Sequence, residues 1–153
     1  MKYSIDTSAF LHAFVRNYPP DIFPSLWNHI ECAIENEIIC ATEEVFVELE
    51  KKDDDAFRWA ANHRSMFIDI DEVIQEEVIR ILDTFPRLVD TRKHRSSADP
   101  FVIALASILR CTVVTEEQQT GNSIKPKIPD VCNKLGIRCI KTLDMIREQR
   151  WIS

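Results

Sequence analysis

Apolar residues along the chain fall into two kinds of run that alternate. The first kind is short and β-prone: Lys2-Tyr3-Ser4-Ile5, Ile38-Ile39-Cys40-Ala41, Phe67-Ile68-Asp69-Ile70, Cys111-Thr112-Val113-Val114-Thr115 and Ile137 to Ile140. The second kind repeats every three or four residues, as one face of a helix does. It covers Ala9 to Val15, Phe23 to Ile34, Thr42 to Leu49, Phe57 to Ala61, Val73 to Phe85, Phe101 to Leu109, Pro129 to Leu135 and Thr142 to Gln149. In the third of these helices Val45, Val47 and Leu49 are expected to face the core. Most strands read as buried on both faces, with the Phe67 strand at or near the sheet edge. Strands alternating with helices in this way predict a mainly parallel sheet covered by helices on both sides, a three-layer α/β/α sandwich. No repeat, linker or low-complexity stretch divides residues 1–153, so a single domain is expected.

The most legible helix start is at Ala98-Asp99-Pro100-Phe101. Asp99 is placed to cap the first turn, and Pro100 is expected at the first helical position, where its missing N–H costs nothing. The segment behind it, Phe101-Val102-Ile103-Ala104-Leu105-Ala106, is apolar nearly all round and predicts a buried helix. Such a helix holds the Asp99 carboxylate on a rigid support, and the helix dipole favours the charged form.

Composition narrows the chemistry. The formal net charge of −6 argues against a protein that coats nucleic acid non-specifically. Gly121 and Gly136 are the only glycines, so neither a G-x-G-x-x-G nor a G-x-x-x-x-G-K phosphate loop can be written. Five cysteines (Cys32, Cys40, Cys111, Cys132, Cys139) lie in apolar stretches without a C-x-x-C and are expected as buried, reduced thiols. No apolar run reaches the roughly 20 residues of a membrane helix. Met1 leads into Lys2-Tyr3-Ser4 with no signal-peptide pattern, so a cytoplasmic protein is expected.

Acids stand where an open parallel sheet places its site, beyond the carboxyl ends of the strands. Asp6 follows the first strand, Glu48 lies one turn into the helix after the second, and Glu116 and Glu117 follow Thr112–Thr115. Glu44 shares the helix face of Glu48. Packed carboxylates repel one another, and a divalent cation relieves that repulsion. An oxygen-only set favours Mg²⁺ or Mn²⁺ over zinc, an arrangement suited to phosphodiester hydrolysis.

Four segments in order, Asp6-Thr7-Ser8, Val45-Phe46-Val47-Glu48-Leu49, Ala98-Asp99-Pro100-Phe101-Val102-Ile103-Ala104-Leu105-Ala106 and Val113-Val114-Thr115-Glu116-Glu117, resemble those of PIN-domain nucleases, the class that includes VapC-type toxins. The similarity spans essentially the whole chain. It implies a three-layer α/β/α fold and a Mg²⁺- or Mn²⁺-dependent endoribonuclease leaving 5′-phosphate and 3′-hydroxyl ends. It carries the metal-binding and catalytic acids onto Asp6, Glu48, Asp99 and Glu117, and supporting hydroxyls onto Ser8 and Thr115. The last acid is usually Asp, and here two glutamates compete for the place. The long loop that follows carries Lys125 and Lys127 and ends at Asp130, which reads as a helix-start acid or an outer ligand. In a toxin–antitoxin setting the resemblance implies a homodimer and a small antitoxin covering the acidic pocket.

Other features are weighed beside these. The basic stretch Arg92-Lys93-His94-Arg95, with Arg87 before it, offers Arg92, Lys93 and Arg95 as RNA phosphate contacts. Trp27, Trp59 and Phe101 read as core residues, and Trp151-Ile152 as a terminal segment docked on the body or on a partner. A PIN-like module that binds RNA or protein without turnover is the competing function. A phosphotransfer domain on a similar sheet lacks its D-x-D, because position 8 is Ser.

Overall fold

The computed structural model describes residues 1–89, 98–122 and 124–151. Strands β1 (Tyr3–Ile5), β2 (Ile39–Thr42), β3 (Phe67–Ile68), β4 (Thr112–Val114) and β5 (Cys139–Ile140) form a five-stranded sheet in the order β3-β2-β1-β4-β5. Every pairing is parallel, with Tyr3 opposite Ile39 on one side and Thr112 on the other. Parallel neighbours need crossovers. These are supplied by α1 (Thr7–Leu11), α2 (Pro24–Glu35), α3 (Glu43–Lys52), α4 (Asp54–Asn62), α5 (Glu72–Thr84), α6 (Asp99–Leu109) and α7 (Ile128–Leu135), and α8 (Thr142–Gln149) closes the chain. The expected α/β/α sandwich is the observed fold.

Alternation along β1 shows how the sheet is covered on both faces. The Ser4 hydroxyl donates to the Val102 carbonyl of α6, whereas the Tyr3 hydroxyl donates to Glu148 of α8 at 2.8 Å and accepts from Gln149. On the α6 side, Val102, Ile103, Ala104 and Leu105 have no exposed surface. On the other side Phe10, Phe14, Trp27 and Trp59 pack as one aromatic cluster with centroids 5.1–6.4 Å apart. Trp27 and Trp59 are therefore structural, as expected. The Trp27 indole N–H also donates to the Tyr18 carbonyl. Trp151 packs against the core, its ring parallel to that of His29 with centroids 6.4 Å apart. Ile152 lies outside the described residues.

Several local expectations change. Val47 is exposed, and the inward face of α3 is Val45, Glu48 and Leu49, the i, i+3, i+4 set that one helix side allows. Asp99 is the first residue inside α6 rather than its cap, a position held by Ala98. Cys32 is an exposed thiol, and all five cysteines are free. After Leu11 the first helix widens into π-helical turns over His12–Asn17, closed by the Tyr18 N–H donating to the Ala13 carbonyl. A π-segment inside a helix often marks a functional site. Among the described residues no helix is long and apolar enough to cross a membrane.

Candidate metal centre

The sheet order reverses direction between β1 and β4, the point where doubly wound sheets open a crevice at the strands' carboxyl ends. Asp6 is the residue after β1, and the backbone leaves β4 through Thr115, Glu116 and Glu117. α6 begins at the same end of the sheet with Asp99. The outcome is that Asp6, Asp99 and Glu117 each bring a carboxylate oxygen to within 4.8 Å of the others. Asp6 is only 2% exposed, and Asp99 and Glu117 are half-buried.

Two hydroxyls fix Asp6. Ser8 Oγ donates to Asp6 Oδ2 at 2.6 Å, and Thr115 Oγ1 donates to the same oxygen at 2.8 Å. Each hydroxyl also accepts a backbone N–H: Glu116 N–H bonds Ser8 Oγ, and Glu117 N–H bonds Thr115 Oγ1. The turn after β4 is thus tied to the turn after β1 through the carboxylate that both approach. Ser8 and Thr115, expected as supporting hydroxyls of a metal site, are the two side chains that hydrogen-bond Asp6 Oδ2. Burial pushes the Asp6 carboxyl above its ordinary range; the two hydroxyls pull the other way, and the nearby Glu48 charge adds to the rise. Burial thus disfavours the charged form of Asp6, and the two hydroxyls favour it.

The structure separates the remaining acids. Glu48, 9% exposed, accepts the Ala98 N–H through Oε1 at 3.0 Å. It lines the same cavity but stands outside the three-carboxylate cluster, and its visible work is to hold the entrance to α6. Glu116 points elsewhere, accepting the Thr142 N–H at the start of α8. Glu117 is accordingly the member of the pair that joins Asp6 and Asp99. Glu44 is absent from the cavity wall; burial and its neighbours Glu43 and Glu48 raise its carboxyl. Asp130 is engaged by Thr120, Gly121 and Lys127, so it serves the loop rather than the cluster. The hydrogen bond with Cys139 and burial push the Cys132 thiol up, the same bond draws the Cys139 thiol down, and neither sulfur joins the three-carboxylate cluster.

A cavity of about 750 Å³ opens above the acids. Its wall carries Asp6, Glu48, Asp99 and Glu117 together with the cationic groups Arg16, Lys52, Arg87, Lys125 and Lys127, and with His12. The sequence reading missed His12, Arg16 and Lys52. Their signal was available in part, since Ser8, His12 and Arg16 repeat every four residues along one helical side, and the π-turns keep all three on the cavity. It also missed Lys141, whose Nζ donates to the Glu116 and Glu117 carbonyls and steadies that turn. Arg92, Lys93 and Arg95, the expected RNA contacts, lie outside the described residues. Arg87, from the same basic stretch, is on the wall.

No curated protein matches the chain. The family model described as "Domain of unknown function (DUF4411)" matches residues 3–153, nearly the full sequence, and the chain belongs to that family.

Proposed function

We propose that this chain is a Mg²⁺- or Mn²⁺-dependent endoribonuclease, in keeping with the PIN-domain nucleases that its ordered motifs resemble. The observation that supports this best is the meeting of Asp6, Asp99 and Glu117 within 4.8 Å from three distant parts of the chain. The donor set fits a hard cation: carboxylate oxygens from three residues, Asp6 among them deeply buried. Asp6, Asp99 and Glu117 would hold the ion, which supplies charge neutralisation at a phosphate and acidifies water. The chain does the rest. Ser8 and Thr115 orient Asp6, Glu48 fixes the start of α6 and hence Asp99, and cationic groups on the wall attract an anionic strand. A toxin role, with a small antitoxin over this cavity and a homodimer, is the corresponding cellular proposal.

The direct test is cleavage of an end-labelled RNA by purified protein with Mn²⁺ and with EDTA. Metal-dependent products with 5′-phosphate ends are expected. Equal cleavage in EDTA removes the proposal, and RNA binding without turnover in any divalent ion favours the binding-module reading instead. Ser8→Ala and Thr115→Val each take one donor from Asp6 Oδ2. Loss of a group that orients a ligand typically costs 10–100-fold, so each variant is expected to weaken Mn²⁺ binding by about that factor in a calorimetric titration. Wild-type affinity in both would show that the hydroxyls do not serve an ion.

A further inference from the structure

Asp130 makes more hydrogen bonds than its place in α7 calls for. As the third residue of that helix it needs only to accept the Lys127 N–H, which it does through Oδ2 at 2.8 Å. It accepts three more from residues upstream: Thr120 N–H at 2.9 Å and Gly121 N–H at 2.8 Å on Oδ1, and Thr120 Oγ1–H at 2.6 Å on Oδ2. The network continues outward. Thr120 Oγ1 accepts the Asn122 N–H, and Asn122 Oδ1 accepts the N–H groups of both Ile124 and Lys125. One buried carboxylate therefore fixes the backbone of Lys127 directly and that of Lys125 through Thr120 and Asn122.

Packing explains only part of this. Pro126, between the two lysines, is buried, but Thr120, Gly121, Asn122 and Lys125 are exposed and Ile124 is 67% exposed, so the upstream part of the segment is shaped by hydrogen bonds rather than by apolar burial. What the bonded segment delivers is two lysines on the wall of the cavity that holds Asp6, Asp99 and Glu117. The hydrogen bonds from Thr120, Lys127 and Gly121 hold the Asp130 carboxyl below its usual range despite burial, so it accepts as a full anion at neutral pH.

We propose that Asp130 is a positioning residue that presents Lys125 and Lys127 as a phosphate clamp for an RNA strand crossing the acidic cluster. This rests on the part of the proposed function that puts RNA in the cavity. The clamp holds phosphates beside the one attacked; the acids do the chemistry. Lys125 and Lys127 then govern strand affinity, and Asp130 governs it only through them.

The test is fluorescence anisotropy with a labelled single-stranded RNA in EDTA, where cleavage is suppressed, followed by steady-state kinetics in Mn²⁺. The variants are Lys125→Ala/Lys127→Ala, Asp130→Asn and Thr120→Val. The double lysine variant is expected to bind about tenfold or more weakly, with a salt slope flattened by about 1.4, the value for two phosphates on a single strand. Asp130→Asn, with both lysines present, is expected to raise KM about fivefold and change kcat less than twofold, with Thr120→Val intermediate. Unchanged RNA affinity and salt slope in the double variant overturn the clamp. So does a wild-type KM in Asp130→Asn, or in Thr120→Val where Asp130→Asn does not fold. Lysine-dependent binding by a protein that cleaves nothing removes the hydrolytic proposal alone; metal-dependent cleavage with lysine-independent binding removes the clamp alone.

Discussion

Asp6→Asn is expected to melt higher than the wild type in the absence of metal and to lose cleavage by about a thousandfold or more. Both effects have one origin. The Asp6 carboxyl is raised chiefly by burial, helped by the Glu48 charge, and only in part relieved by the Ser8 and Thr115 hydroxyls. A carboxyl whose folded pKa lies above its unfolded one weakens the fold as it ionises. The cost sets in as pH rises past the unfolded value, about 3.9, and is fully present above the folded value. Asn keeps the shape and accepts the same two hydroxyl bonds through its carbonyl, but never carries the charge. A gain of about 1–2 kcal/mol, or roughly 2–6 °C in Tm, is expected for a chain of this size. The wild type should lose stability over this pH window, and that part of the loss should be missing in the variant. Saturating Mn²⁺ should reverse the ranking: an ion at 100 times its Kd stabilises the wild type by about 2.7 kcal/mol and leaves the variant nearly unmoved. Thermal melts with and without Mn²⁺, paired with cleavage assays, decide the matter. A variant that melts lower than wild type, or keeps a tenth of its activity, contradicts it.

The largest loss of stability is expected from Ile103→Ala. Ile103 has no exposed surface, and α6, its helix, packs against β1, β2 and β4 on one side and α5 on another. Removing its outer carbons loses their transfer free energy and leaves a void that such enclosed neighbours cannot fill. Substitutions of this kind cost about 2–5 kcal/mol, against total stabilities of about 5–15 kcal/mol. A fall in Tm of roughly 5–15 °C is expected. Ile108 stands at the other end of the same helix and is 36% exposed, so Ile108→Ala serves as the comparison and should cost under about 1 kcal/mol. Denaturant unfolding of both variants gives the answer. Equal costs would mean that α6 is not the packed centre of the fold. Because Asp99 opens this helix, loosening Ile103 should also blunt Mn²⁺ binding.

The elements were legible because the apolar patterns here are unambiguous. Alternation of short buried runs with helical stripes gave the sandwich, and the order of acids after successive strands pointed to the end of the sheet where Asp6, Asp99 and Glu117 meet. What stayed hidden depends on geometry that no linear pattern records. Glu116 and Glu117 are adjacent in sequence, and only the turn after β4 sends one to Thr142 and the other to Asp6 and Asp99. Val47 looks apolar enough for the core, yet Glu48 takes the inward place because α3 turns its acid toward the cavity and the Ala98 N–H. The cationic wall gathers Arg16, Lys52, Arg87 and Lys127 from separate elements. Each alone is a solvated charge in sequence, and only the closure of the fold makes them neighbours.

The outermost strands of the sheet have a further consequence. β3 and β5 consist of two residues each, Phe67–Ile68 and Cys139–Ile140, the shortest in the sheet. Edges this short offer little template on which another chain's strand could extend the ladder. Crowding or overexpression is therefore expected to disfavour fibres built by edge-to-edge strand addition.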